Sequence, residues 1–225
     1  STGSTFPNVG RDDLCNLEIN DYSLLDQKKI AHILGNLDDK IELNRRMNIT
    51  LEAMTMALYR HYFIDFGLPP NVKYEADECP FGNLVDTDEM GPVPEGWEIG
   101  KISDILFLEY GKSLPEHKRI FGDYPVYGSN GIVGYHNEYI SKGPGIIVGR
   151  KGTAGQVIRT ENNFFPIDTT YYVKPKIDYY SMNTLYLILI HQKLKEMNFD
   201  SAVPGLNRNN AYDIDCIIPP QNVVK

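Results

Sequence analysis

Between Leu25 and Phe66 apolar and polar-neutral residues recur at alternating steps of four and three: Ile30, Leu34, Leu37, Ile41, Asn44, Asn48, Leu51, Thr55, Leu58 and Tyr62. Ile33, Met47 and Met54 widen the stripe, no proline interrupts it, and Gly35 is the only glycine before its end. A repeat averaging 3.5 residues predicts a coiled-coil-type helix, because slight under-winding keeps such a stripe facing one partner. At 1.5 Å per residue the helix would be about 60 Å long. That exceeds the width of a small domain, so part of it must project and find a second helix to cover its seam. Leu37, Ile41, Leu51 and Leu58 form the apolar part of this seam. Asn44 and Asn48 sit near its middle, where a buried amide weakens packing but fixes register. Asp26 is the expected N-cap, and Gly67 with Pro69–Pro70 ends the helix.

The pattern differs on either side. Residues 1–24 read as an irregular tail in which Asp12, Asp13, Leu14, Leu17 and Ile19 predict a turn of helix followed by a strand. Residues 67–92 read as a linker, with Glu75, Asp77, Glu78, Asp86, Asp88 and Glu89 crowded into it and few apolar anchors. Residues 93–225 change to short β-branched and aromatic clusters bounded by Gly, Pro or Asn. These are IGKISDILFLEYG, YPVYGSNGIVGYHN, YISKGPGIIVGRKG, GQVIRT and TTYYVKP. One amphipathic helix follows, Asn183 to Met197, with Leu185, Leu189 and Leu194 on one side. The fold class expected is α+β: one long helix, then a globular domain mixing helix with much β structure.

One internal correspondence links the ends of the chain. Shifted by 197 positions, Ser4, Pro7, Arg11, Leu17 and Lys28 fall on Ser201, Pro204, Arg208, Ile214 and Lys225. Val9 meets Leu206 and Glu18 meets Asp215. The start of the chain thus looks like the end of an earlier copy of the globular domain, and the end stops where a second long helix would begin.

Composition narrows the function. An apolar share of 42% supports a core, and 15 tyrosines with 9 phenylalanines fit β structure. Cys15, Cys79 and Cys216 have no metal-ligand spacing and cannot all pair, which fits reduced thiols in a cytoplasmic protein. No apolar run is long enough for a membrane span, and no signal peptide opens the chain. It begins at Ser1, which fits a processed or trimmed chain. A net charge of −8 argues against non-specific coating of nucleic acid. Yet from Tyr139 to Thr160 the charged residues are Lys142, Arg150, Lys151 and Arg159, without one acid.

Catalytic motifs are missing. Gly111-Lys112-Ser113 lacks the earlier glycine of a P-loop, and Gly128, Gly131 and Gly134 do not match the dinucleotide fingerprint. His32, His61, His117, His136 and His191 form no zinc pattern, and G-x-S-x-G is absent. No cofactor or metal is expected. What remains is a binding surface. Gly149-Arg150-Lys151-Gly152, followed by Thr153, joins close backbone approach to positive charge, and Arg can fork onto guanine O6 and N7. Ser129-Asn130, Tyr135-His136-Asn137 and Asn207-Arg208-Asn209-Asn210 supply amides and hydroxyls for phosphates and base edges. The candidate DNA-binding residues are Lys112, Ser129, Asn130, Tyr135, Arg150, Lys151, Thr153, Asn207 and Arg208. Arg150, Lys151 and Arg208 are the ones expected on phosphate or guanine.

LDQKKIAHILGNLDDKIELNRRMNITLEAMTMALYRHYFIDF closely resembles the helical region of specificity subunits of type I restriction-modification systems. VPEGWE (Val93 to Glu98) resembles the opening of their target recognition domains. YPVYGSNGIVGYHNEY, GIIVGRKGTAG and FFPIDTTYYVKP resemble stretches inside such a domain, and PGLNRNNAYDIDCIIPP resembles its end. The resemblance implies two target recognition domains, each reading half of a bipartite sequence in double-stranded DNA, held apart by two antiparallel helices. It also implies docking of modification (methyltransferase) and restriction subunits, and no active site in the specificity subunit itself. This sequence has one such domain, one helix and a leftover tail, so it would be a half-length subunit or a fragment, and a half would homodimerise through its helix. The competing expectations are a coiled-coil protein-interaction scaffold and a stand-alone DNA-modifying enzyme.

Overall fold

A computed structural model describes residues 10–67, 79–87, 91–197 and 205–224. Glu75, Asp77, Glu78, Asp88 and Glu89 of the acidic segment lie outside the described residues. So do Ser4, Pro7, Val9, Ser201, Pro204 and Lys225 of the internal repeat. The chain divides into two compact units, Ser1–Ala53 and Met54–Lys225.

The first unit holds a short helix, α1 (Arg11–Cys15), and most of the long helix α2 (Leu24–Phe63). The expected cap at Asp26 is corrected. Ser23 precedes the helix, its Oγ accepts the Asp26 backbone N–H at 3.2 Å, and its hydroxyl donates to the Asp26 carboxylate at 2.7 Å. Asp26 is therefore the acidic residue of the first turn, three positions inside, where it also meets the positive end of the helix dipole. Leu37, Ile41, Asn44, Asn48, Leu51 and Leu58 are all exposed, so the seam is an apolar stripe open to solvent in the single chain.

The strand expected after α1 does not form, since residues 16–22 have no partner among the described residues to complete a ladder. The offset of 197 recurs in the structure. The short helix α5 (Arg208–Tyr212) matches α1 in length and position. The one-turn α6 (Gln221–Val224) starts where α2 starts, at Leu24 in the earlier numbering. Between them β11 (Asp215–Ile218) is a paired strand where residues 18–21 are not.

In the second unit the last turns of α2 enter a core. Tyr59 is buried, with Met56, Phe63 and Ile64 packed beside it. Met56, Tyr59 and Phe63 lie one residue on from Thr55, Leu58 and Tyr62 of the stripe, about 100° around the helix, so the docked positions and the stripe occupy different faces. The helix stops at Phe63 rather than Phe66 because Phe66 and Gly67 turn left-handed, with φ of 52° and 76°. That turn drops Phe66 onto Trp97 at 5.3 Å, where Phe63 and Phe81 also contact the indole. Aromatic contacts of this kind add about 0.5–1.5 kcal/mol each beyond area burial.

The globular part begins with a small ladder of β1 (Leu84–Val85) and β2 (Val93–Pro94). IGKISDILFLEYG, expected as one extended stretch, breaks into β3 (Glu98–Lys101), one turn of helix α3 (Ile102–Ile105) and β4 (Leu106–Tyr110). β3 pairs with β11, which ties the domain's opening to its close. A hairpin, β5 (Tyr124–Gly128) and β6 (Gly131–His136), is extended by the parallel β9 (Phe165–Pro166). The central antiparallel sheet runs β4–β10–β7–β8, with β7 at Gly145–Gly149, β8 at Val157–Thr160 and β10 at Thr170–Pro175.

Both faces of that sheet are covered. Ile146, Val148, Tyr171 and Val173 face a helical layer led by Leu185, Ile188 and Leu189. Ile147 and Tyr172 face Tyr127 and Phe164 on the other side. This two-sided burial is why GIIVG reads as a continuous apolar run and not as an alternation. The helical layer is α4 (Met182–His191), capped by Ser181, whose Oγ accepts the Thr184 N–H at 3.1 Å. The helix expected to reach Met197 ends at His191. Lys193 turns left-handed (φ 50°) and residues Leu194–Met197 form a separate 3-10 turn, which buries Leu194.

His191 packs its ring 5.7 Å from Tyr59, and burial lowers its pKa, helped by Arg60 and Lys193. The folded state thus prefers the neutral ring. Its contribution is complete above the unfolded value of roughly 6.5 and is lost as pH falls below it. Thermal unfolding followed by circular dichroism should show a midpoint that drops between about pH 7 and pH 5. His191→Phe, which keeps the packing on Tyr59, should flatten that drop.

Candidate nucleic-acid interface

The loop between β7 and β8 is held by backbone hydrogen bonds on two sides. The N–H groups of Arg150 and Lys151 both donate to the Thr169 carbonyl, at 2.8 and 3.1 Å. The buried Ser129 donates its hydroxyl to the same oxygen at 2.6 Å. On the other side the Leu206 N–H donates to the Arg150 carbonyl at 2.8 Å, and Lys151 bridges to Gly205. The end of the chain is thereby laid along the basic loop. Gly149 makes the close approach possible: a Cβ there would stand 2.1 Å from the Thr153 carbonyl oxygen. Gly111 does the same for the end of β4, where a Cβ would meet the Ile167 carbonyl at 2.1 Å and where the Lys112 N–H donates to Pro166 at 3.0 Å.

These attachments bring two distant arginines onto one aromatic ring. The guanidinium of Arg150 lies 4.9 Å from the centroid of Tyr110 and that of Arg208 lies 4.8 Å from it. Arg150 also stands 6.0 Å from Tyr171, and Arg208 5.8 Å from Tyr212. Each cation–π contact contributes about 0.5–1 kcal/mol at an exposed site, and more when desolvated. The phenols are fixed in turn: Tyr171 donates to the Leu206 carbonyl at 3.1 Å, and Tyr212 accepts the Leu108 N–H at 2.8 Å. Burial pushes the Tyr171 pKa up, Tyr110 adds to the rise and Arg150 opposes it, so Tyr171 stays a protonated donor.

Among the described residues neither arginine has an ion-pair partner. Arg150 donates from Nη1 to the Asp168 carbonyl at 3.1 Å, and Arg208 Nε is buried without a hydrogen-bond partner. Both guanidinium carbons lie under 5 Å from one centroid, so they are less than about 10 Å apart. Two positive charges no farther apart than that repel by at least roughly 1.7 kcal/mol at an effective dielectric of 20, before salt screening. Arg159 behaves differently: it pairs with Glu161 at 2.6 Å.

Of the residues named from sequence, Lys112, Arg150, Lys151, Thr153, Asn207 and Arg208 belong to this stitched region. Ser129 is part of its scaffold, buried and with its hydroxyl committed to Thr169. Asn207 caps α5, its side-chain oxygen accepting the Asn209 N–H at 2.8 Å. Asn130 is exposed in the β5–β6 turn. Tyr135 is exposed farther along β6, opposite Pro125. At about 3.4 Å per residue it stands roughly 17 Å along the hairpin from Asn130. Tyr110, Tyr171 and Tyr212 are the residues that sequence reasoning missed. No local spacing connects them to Arg150 or Arg208, and only their abundance hinted at them.

Gly149→Ala should destabilise the domain by about 1–3 kcal/mol, as overpacking against backbone does. Gly152, with φ of 75° but open space at its Cβ position, should lose only about 1 kcal/mol on the same change. Chemical denaturation of the two variants checks the order, and equal losses would contradict the close approach at Gly149.

Residues 94–223 match the family described as the type I restriction modification DNA specificity domain. The specificity subunit of the type I restriction enzyme MjaIX of Methanocaldococcus jannaschii is 33% identical over 54% of this chain and 26% of its own length. That of the HindI enzyme of Haemophilus influenzae is 41% identical over 55% of this chain and 37% of its own. The chain thus spans well under half the length of these relatives. Among solved structures, the S subunit from M. genitalium aligns with a TM-score of 0.50 at 16% identity, over 55% of this chain and 34% of that one. A chain from a study of assembly and conformational transition in a type I R-M system aligns at 0.51 and 14% identity, over 99% of this chain and 54% of that one. At such identities the likeness is one of fold.

Proposed function

The chain belongs to the type I restriction-modification DNA specificity family, and on that premise we propose that it is a non-catalytic, sequence-specific DNA-recognition subunit. The observation that carries this is the pair of arginines on Tyr110, without acidic partners among the described residues, on a protein that is acidic overall. Such a local concentration of positive charge suits the phosphates of a duplex, with Lys112, Lys151, Asn130, Thr153 and Asn207 beside it. Tyr135 would meet the duplex separately, farther along the β5–β6 hairpin. Among the described residues no group of three or more His, Cys, Asp or Glu side chains gathers to hold a metal.

In this proposal residues 93–225 are the target recognition domain and read one half of a bipartite target. Residues 25–66 are the spacer and dimerisation helix, 67–92 the acidic linker, and 1–24 the end of a preceding recognition domain. The repeated short helix at an offset of 197 supports that last assignment. The exposed seam through Leu37, Ile41, Asn44, Asn48, Leu51 and Leu58 supports an antiparallel second helix, either from another copy of this chain or from the rest of a longer one. The same helices would dock the modification subunits, with restriction subunits joining the complex. Among the described residues no helix is long and apolar enough to cross a membrane.

Selection of bound duplexes from a random pool tests the reading function. A split consensus is expected from the assembled complex. Binding equal on all duplexes would overturn specific recognition. Inserting one heptad into the helix adds about 10 Å, or roughly three base pairs of duplex. It should lengthen the spacer between the half-sites and leave the half-sites unchanged. In solution the chain should sediment as a dimer, and a monomer at micromolar concentration would remove the half-subunit version of this proposal.

A further inference from the structure

We propose that Tyr110 is the positioning residue of a two-arginine phosphate clamp, in which Arg150 and Arg208 together hold backbone phosphate of the bound duplex and read no base. The inference rests on the DNA-recognition function above and deepens it. Three observations carry it. Both guanidinium groups lie against the one Tyr110 ring, at 4.9 and 4.8 Å. Neither has an ion pair among the described residues, although their mutual repulsion favours an anion between or over them. A guanine edge offers neutral acceptors and would leave that repulsion in place, whereas a phosphate relieves it. Arg150 already gives one N–H to Asp168, and Arg208 has its Nε buried without a partner, so neither has its full fork of donors free for a base edge.

Tyr110 is suited to the positioning role by its place in the fold. It ends β4 opposite Tyr171 in the central sheet, 5.1 Å ring to ring, yet is 45% exposed. Its ring is therefore anchored by the sheet and still accessible to a ligand. The arginines reach it from two segments that are themselves stitched together by the Leu206–Arg150 hydrogen bond and the Lys151–Gly205 bridge. Removing the ring would leave both charges in the protein and remove their common support, together with its contact to Tyr171. That separates positioning from charge.

The test measures binding of the chain to a selected target duplex and to an unrelated duplex of equal length, by fluorescence anisotropy across a sodium chloride series. Arg150→Ala and Arg208→Ala should each weaken both duplexes alike, about tenfold, and lower the salt slope by roughly 0.9. Tyr110→Phe should bind as wild type does. Tyr110→Leu should lose affinity about tenfold on both duplexes, with its melting temperature confirming that it folds. A loss confined to the target duplex would overturn the clamp in favour of base reading. An unchanged slope in either arginine variant, with wild-type binding intact, would overturn it too. A second measurement is independent of DNA recognition: titration with inorganic pyrophosphate, followed by the arginine Nε–H resonances. Shifts at both arginines, abolished in Tyr110→Leu, support the clamp even if the chain binds no duplex, and that outcome would reject the recognition function alone. No shift at either arginine overturns the clamp.

Discussion

Two-sided burial of β7 and β10 is the constraint on which the rest of the domain depends. Ile146 and Val148 must meet the helical layer while Ile147 meets Phe164 and Tyr127, so the strand cannot slip by one residue without exchanging its two faces. A fixed register in β7 fixes where Gly149 ends it, and hence where Arg150 leaves the sheet. Register in β10 and β4 likewise sets Tyr171 opposite Tyr110. The interface is therefore a product of the core: its aromatic floor is the last rung of the sheet, and its charges sit on the loops that the core orients.

An acidic protein with a local cationic site also needs an account of how the charges are kept there. Burying arginine beside a carboxylate would hold it and also neutralise it, as Glu161 does with Arg159. Tyrosine holds a guanidinium through its ring face and leaves the charge uncompensated. Backbone carbonyls do the remaining work, with Asp168 and Thr169 accepting from Arg150, Lys151 and Ser129. Closeness of like charges is tolerated because the stitched segments are held by hydrogen bonds that the repulsion cannot break cheaply.

The long helix divides its surface between two tasks. Its last turns dock through Met56, Tyr59 and Phe63, and burial in the same core raises the pKa of Tyr59, Tyr180 and Cys216, with Asp104 and Asp215 adding to the rise of the Cys216 thiol to about 12. Leu58 and Tyr62, one step around the helix, remain with the exposed seam.

The sequence by itself determined the helix, the hairpins and the division of texture between them, because those follow from local period and from Gly, Pro and Asn at turns. It located the basic loop at Gly149–Gly152 and the family likeness as well. Local signals failed where long-range contact decides. Lys193 turns left-handed and ends a helix whose apolar period continues to Met197, and Leu194 is buried in the 3-10 turn that follows. Ser23 displaced Asp26 as cap by geometry that composition does not reveal, and residues 16–22 lack a strand because a ladder needs a partner. Only the tertiary structure brought Tyr110, Arg150 and Arg208 together across the sheet. The contact of a strand end, a loop and a late helix is set by core packing, which no spacing along the chain encodes.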